Sequence, residues 1–197
     1  MKLSLRFILL LVSLVTAAVV LSSCASTTSN VSAADLQKRQ QALTASDHLI
    51  VPGQRIGPIR LGMGMDEVLA TLGQPDNIRK DEINHLAGDQ WYYWSLNMSV
   101  AFSRGSAPTV FSISTNCWGK SGSTLGTSYW ADMEPIQTVF RTENGIGLGS
   151  TSFEVRRAYS SYSYEDSGGV WMDYKGLGLQ FIVTNDQDHR IYTIYVK

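Results

Sequence analysis

Ile56-Gly57-Pro58-Ile59-Arg60-Leu61-Gly62-Met63-Gly64-Met65-Asp66-Glu67-Val68-Leu69-Ala70-Thr71-Leu72-Gly73-Gln74-Pro75 reads as a short apolar strand, a glycine turn and a helix. The helix begins near Met65, with Asp66 and Glu67 in its first turns, where carboxylates meet the positive end of the helix dipole. Met65, Val68, Leu69 and Leu72 recur at helical spacing and share one face. Gly73 supplies the left-handed stop and Pro75 forbids continuation. A weaker copy opens at Asn144-Gly145-Ile146-Gly147-Leu148-Gly149-Ser150-Thr151-Ser152-Phe153-Glu154-Val155-Arg156-Arg157-Ala158-Tyr159. Leu61-Gly62 aligns with Leu148-Gly149, and Glu67-Val68 with Glu154-Val155. Its helix starts near Thr151 and is expected to pack, less regularly, through Phe153, Val155 and Tyr159.

Alternating apolar segments follow each helix, at 90–94, 96–102 and 109–115 and again at 169–174, 177–183 and 190–196. Each set predicts a three-stranded antiparallel meander. The expected fold is therefore α+β, two helix-plus-meander repeats forming a sheet covered by helices. Ahead of them, Ser32 is placed to cap a short helix from Ala33 to Ala45, with Asp35 in its first turn. Leu36, Gln40 and Leu43 lie roughly along one side of it, a thin stripe that predicts weak docking.

The N-terminus carries Lys2 and Arg6, an apolar stretch over 7–21, and then Leu21-Ser22-Ser23-Cys24. A positive start, an apolar middle, small residues before the cut and a thiol after it form a lipoprotein signal, cleaved between Ser23 and Cys24. The stretch is about 15 residues long, short of the roughly 20 that a membrane-crossing helix needs. The pattern implies a diacylglyceryl thioether on Cys24 and an acylated amine, and two or three chains anchor stably at about 0.8 kcal/mol per buried methylene. The expected organisation is a signal at 1–23, a lipidated flexible tether at 24–32, a short helical segment at 33–47, a first repeat at 50–118, a connector at 119–138 and a second repeat at 139–197.

The string Gly62-Met63, Glu67-Val68, Leu72-Gly73 and Pro75 after a lipidated tether resembles the SmpA/OmlA family of small outer-membrane assembly lipoproteins. The tandem arrangement is similar to that of β-lactamase inhibitor proteins. The resemblance runs from Val51 to Lys197, with its specific part between Ile59 and Pro75. It implies an envelope lipoprotein, held at the outer membrane and facing the periplasm, that binds envelope proteins without catalysis. Inhibition of a periplasmic hydrolase is the alternative it implies. Two copies depart from the assembly family, and the lack of paired cysteines departs from the secreted inhibitors, so neither family's binding residues carry over. Ala25 stands where an aspartate would resemble an inner-membrane retention signal, which again points to the outer membrane.

Composition narrows the function further. The formal charge is −1, and −3 once Lys2 and Arg6 leave with the signal, so no basic surface for nucleic acid is implied. His48, His85 and His189 are scattered without metal-ligand spacing, and neither a metal nor another cofactor is expected. Gly145, Gly147 and Gly149 lack the lysine of a phosphate loop, and no serine sits in a nucleophile elbow, so no enzyme is read here. Small-molecule binding would require a deep pocket with convergent polar groups. Cys117, beside Trp118, reads as a buried thiol or a reactive one, according to its exposure.

The functional surplus is aromatic. Trp91-Tyr92-Tyr93-Trp94 on a strand puts Trp91 and Tyr93 on one face and Tyr92 and Trp94 on the other. One pair belongs to the core. The other is either covered, by the helices or by the connector carrying Tyr129 and Trp130, or forms part of a protein-binding surface. Tyr162 and Tyr164, in the loop after the second helix with Glu165 and Asp166, are further binding candidates.

Overall fold

A computed structural model of the chain describes residues 31–80, 88–116, 139–184, 187 and 189–197. Cys24, Ser23 and the signal, most of the tether, His85, Cys117, Trp118 and the connector with Tyr129 and Trp130 lie outside the described residues. Among the described residues the fold is mixed α+β, with three helices and twelve strands in two sheets.

Helix α1 spans Ala33–Ala45 and opens on a reciprocal cap: the Asp35 amide donates to Ser32 Oγ at 3.1 Å and the Ser32 amide to Asp35 Oδ2 at 3.2 Å. Its docking does not follow the thin stripe, since Leu36 is half exposed. The residue it buries is Arg39, 1% exposed. Arg39 Nε donates to the Leu72 carbonyl at 3.2 Å, Nη1 to Asp76 Oδ2 at 2.9 Å and Ser95 Oγ at 3.0 Å, and Nη2 to the Gln74 carbonyl. The guanidinium carbon also lies 4.9 Å from the centre of the Tyr93 ring. A helix whose large apolar residues are Leu36 and Leu43 alone thus docks through one satisfied cation beside the partly buried Ala42 and Leu43.

Helix α2, Met65–Leu72, turns Val68 and Leu72 fully into the core, with Met65 and Leu69 partly buried beside them. Glu67 accepts from the Gly64 amide at 2.9 Å, and Gly73 ends the helix at φ +72°. A methyl group at Gly73 would collide with the Asp35 carboxylate of α1, so the glycine permits close approach as well as the turn. Helix α3, Ser152–Ala158, is capped by Thr151 and Glu154, the Thr151 amide reaching Glu154 Oε2 at 2.7 Å. Val155 and Tyr159 are buried, but Phe153 is 66% exposed. The expected packing by Phe153 is therefore corrected: Ser152, Val155 and Tyr159 share the inward face, and residue 153 points away from it.

The smaller sheet runs β3-β2-β1-β8, from β1 (Leu49–Val51), β2 (Arg55–Ile56), β3 (Ile59–Arg60) and β8 (Arg141–Thr142). Only β1 and β8 are parallel in it. The larger sheet has eight antiparallel strands in the order β4-β5-β6-β7-β12-β11-β10-β9. One run is β4 (Asn77–Lys80), β5 (Asp89–Tyr93), β6 (Met98–Phe102) and β7 (Val110–Asn116). The other is β9 (Glu165–Ser167), β10 (Trp171–Tyr174), β11 (Leu179–Val183) and β12 (Ile191–Val196). They meet at β7 and β12, where Ser114 faces Tyr195.

Each run has a fourth, outer strand beyond the three expected. Both β4 and β9 are exposed along their whole length, so they carry no alternation to read. The strand expected over 90–94 ends at Tyr93; Trp94–Leu96 forms a 3₁₀ turn closed by Asn97 at φ 50°. Lys175–Leu177 and Gly178, at φ 62°, do the same between β10 and β11. Other details also match: Gly62 N donates to Val110 O at 2.7 Å and Gly149 N to Ile191 O at 2.8 Å. The register slips at Ala101/Phe102 and at Ile182/Val183. One hydrophobic cluster joins helix residues Val68, Leu72, Val155 and Tyr159 to strand residues including Val100, Ile113, Phe181 and Ile194.

Candidate binding face

Strand alternation sorts the aromatic quartet. Trp91 and Tyr93 point into the core, 5% and 0% exposed. Trp91 packs on Phe102 with ring centres 4.6 Å apart, and the Tyr93 hydroxyl donates to the Gly73 carbonyl at 3.2 Å. Burial raises the Tyr93 phenol well above its ordinary range. These two candidates are therefore core residues with no free ring face to offer a partner. Trp94 leaves the strand and is 47% exposed, its amide donating to Asp76 Oδ2 at 2.6 Å. Tyr92 alone of the four lies on the sheet face opposite the core.

From Tyr92 the registers trace one row across the whole sheet: Asn77, Tyr92, Ser99, Ser114, Tyr195, Gln180, Asp173 and Glu165. The row beside it contains Asn116, Thr193, Ile182 and Trp171. Tyr92 donates to Gln90 Oε1 at 2.9 Å, Gln90 Nε2 to Ser99 Oγ at 3.2 Å, and Ser99 and Ser114 share a hydrogen bond of 2.7 Å. Asn116 Nδ2 completes the chain on Ser114 Oγ at 2.9 Å. Amides and hydroxyls fix one another in place, so Tyr92 is held at a set angle without being buried in the core.

Burial raises the Tyr195 phenol, and the nearby Tyr92 adds to the shift. At one end of the row Lys197 Nζ pairs with Asp173 Oδ2 at 3.1 Å. The middle of this face is buried, Ser99 and Ser114 at 2% exposed and Thr193 and Ile182 beside them at 4% and 5%, whereas Tyr92, Gln180 and Tyr195 are partly exposed and Trp171 is 41% exposed.

Tyr162 and Tyr164 sit elsewhere. Tyr162 is 50% exposed and meets Tyr159 edge-on at 6.5 Å. Tyr164 stacks on the buried Tyr174 at 5.2 Å, which ties it to the core side. Trp171, Gln180 and Tyr195 are the face residues that the sequence reading did not single out. Their signal was present as positions alternating with buried ones: Trp171 before Met172, Gln180 between Leu179 and Phe181, and Tyr195 between Ile194 and Val196.

Among the described residues no cluster of three or more His, Cys, Asp or Glu is arranged to hold a metal ion, and no helix is long and apolar enough to cross a membrane. His48 lies apart from the face, its ring Nε2 2.8 Å from the Leu43 carbonyl. No family model, curated protein or solved structure matches the chain.

Proposed function

We propose that this chain is a lipoprotein anchored through Cys24 whose folded part is a non-catalytic protein-binding module, serving the assembly of outer-membrane components from the periplasmic side. The observation that carries the binding role is the outer sheet face, where Tyr92, Tyr195, Gln180 and Trp171 share one side across both runs of strands. Aromatic rings held by neutral hydrogen-bonding neighbours are the composition of interface hot spots. The anchor rests on the lipoprotein pattern ending at Cys24.

The larger sheet is read here as a duplicated helix-plus-strand unit. The matching 3₁₀ turns, register slips and glycine hydrogen bonds of the two runs support that reading. Duplication places the junction strands β7 and β12 at the centre and builds a face wider than one unit supplies. A wide face also suits clamping onto a hydrolase, the inhibitor alternative.

Capture from solubilised membranes with the lipidated protein tests the proposal. Recovery of barrel-assembly components, reduced by Tyr92→Ala in a protein that still folds, is the expected result. Recovery of a hydrolase would replace the assembly role by inhibition, and capture unaffected by Tyr92→Ala would remove the sheet face from the account.

A further inference from the structure

We infer that α1 is a releasable latch that sets the reach of the tether, an inference that rests on the anchor at Cys24. Among the described residues α1 belongs to neither sheet, and what it buries is chiefly one guanidinium. Ala42 and Leu43 are only partly buried, and Leu36 is exposed. Its grip on the body is polar: Arg39 on Leu72, Gln74, Asp76 and Ser95, and Asp35 Oδ1 accepting from the Gln74 amide at 3.0 Å.

Each of these groups finds water on release, so undocking exchanges hydrogen bonds with protein for hydrogen bonds with water, and the apolar surface it uncovers is that of the Tyr93 ring under Arg39 and of the partly buried Ala42 and Leu43. Elements held this way open locally, without the sheet. The exit from α1 is compact: Ser46, Asp47 and His48, the last at φ 56°, separate the helix from β1.

Release changes length. Residues 25–31 span at most about 25 Å when fully extended. With α1 undocked and unwound, 25–48 span about 80 Å. The docked latch limits how far the folded body can stand from the lipid; the open latch lets it reach a partner farther from the membrane surface.

The experiment uses the full lipidated protein in vesicles, with hydrogen exchange followed across a urea series. Exchange of α1 amides through openings insensitive to urea, while β6, β7, β11 and β12 exchange only by global unfolding, is the expected result. Arg39→Ala should speed α1 exchange about tenfold or more and leave the sheet protected. An azide-bearing residue at Ser106, coupled to a donor dye and read against acceptor lipids, should move away from the bilayer in the same variant.

Exchange of α1 only together with the sheet would overturn the latch, as would an unchanged dye distance after α1 has opened. If Arg39→Ala fails to fold, Asp76→Asn keeps an acceptor and removes the charge, and the same two readouts apply. Failure of the wild type to float with vesicles would refute the anchor and the reach argument with it, whereas the exchange data judge the opening of α1 independently.

Discussion

Neighbouring rings in β5 carry opposite expectations. Trp91 is 5% exposed and packed against Phe102 at 4.6 Å, so Trp91→Ala removes a whole indole from the core and leaves a cavity. Such truncations cost about 3–5 kcal/mol. For a domain of this size each kcal/mol shifts the melting temperature by about 2–4 °C, which predicts a fall on the order of 6–20 °C. Tyr92, one residue on, faces the other side, and its hydroxyl bonds to Gln90 within a network that keeps its other members. Tyr92→Phe removes one hydrogen bond, about 0.5–1.5 kcal/mol, and should shift the melt by no more than about 6 °C. Thermal melts followed by circular dichroism, paired with partner capture, separate the two. A Trp91→Ala protein that melts like the wild type yet loses its partner would refute the parity assignment and the face built on it.

Gly73→Ala should destabilise by roughly 1–3 kcal/mol in urea melts, because it forces a side chain to φ +72° and drives its methyl into Asp35. Thr151→Ala should cost about 0.5–2 kcal/mol by uncapping α3, measured the same way. Burial raises the folded pKa of Tyr93 and pushes that of Tyr174 up to about 12, so their stability contribution is complete below pH 10 and declines as pH rises toward the folded values. Tyr93→Phe should flatten that alkaline decline in melts taken between pH 9 and 12. Asp35 and Glu154 shift the other way, lowered chiefly by hydrogen bonds with Ser32 and Thr151 respectively; their contribution is present above their ordinary values of 3.8 and 4.5 and lost as acid protonates the folded carboxylates.

The two turn-helix openings and six of the eight strands of the larger sheet were legible in the sequence because each imposes a periodicity. Met65, Val68, Leu69 and Leu72 fixed one helix, and the alternation through Val100, Phe102, Ile113, Phe181 and Ile194 fixed the centre of the sheet. The outer strands β4 and β9 were invisible for the opposite reason: Asn77-Ile78-Arg79-Lys80 and Glu165-Asp166-Ser167 have no buried side to write a pattern. The docking of α1 was hidden as well, since a buried arginine 33 residues from the carbonyl it binds leaves no local mark. For the face, alternation separated Trp91 and Tyr93 from Tyr92, but choosing between the two sides needed the sheet order. Tyr195 joins Tyr92 only because β12 pairs with β7, a contact far apart in sequence.

The central claim is that a lipid-tethered protein meets its partner through the outer face of the larger sheet. Its most direct measurement is photo-crosslinking in living cells, with a benzophenone amino acid placed singly at Tyr92, at Gln180 and, as a control on α2, at exposed Asp66. The account predicts one and the same envelope protein joined at Tyr92 and Gln180, none at Asp66, and loss of the adducts when Cys24→Ser removes the anchor. Adducts from Asp66 with none from the sheet face would contradict it.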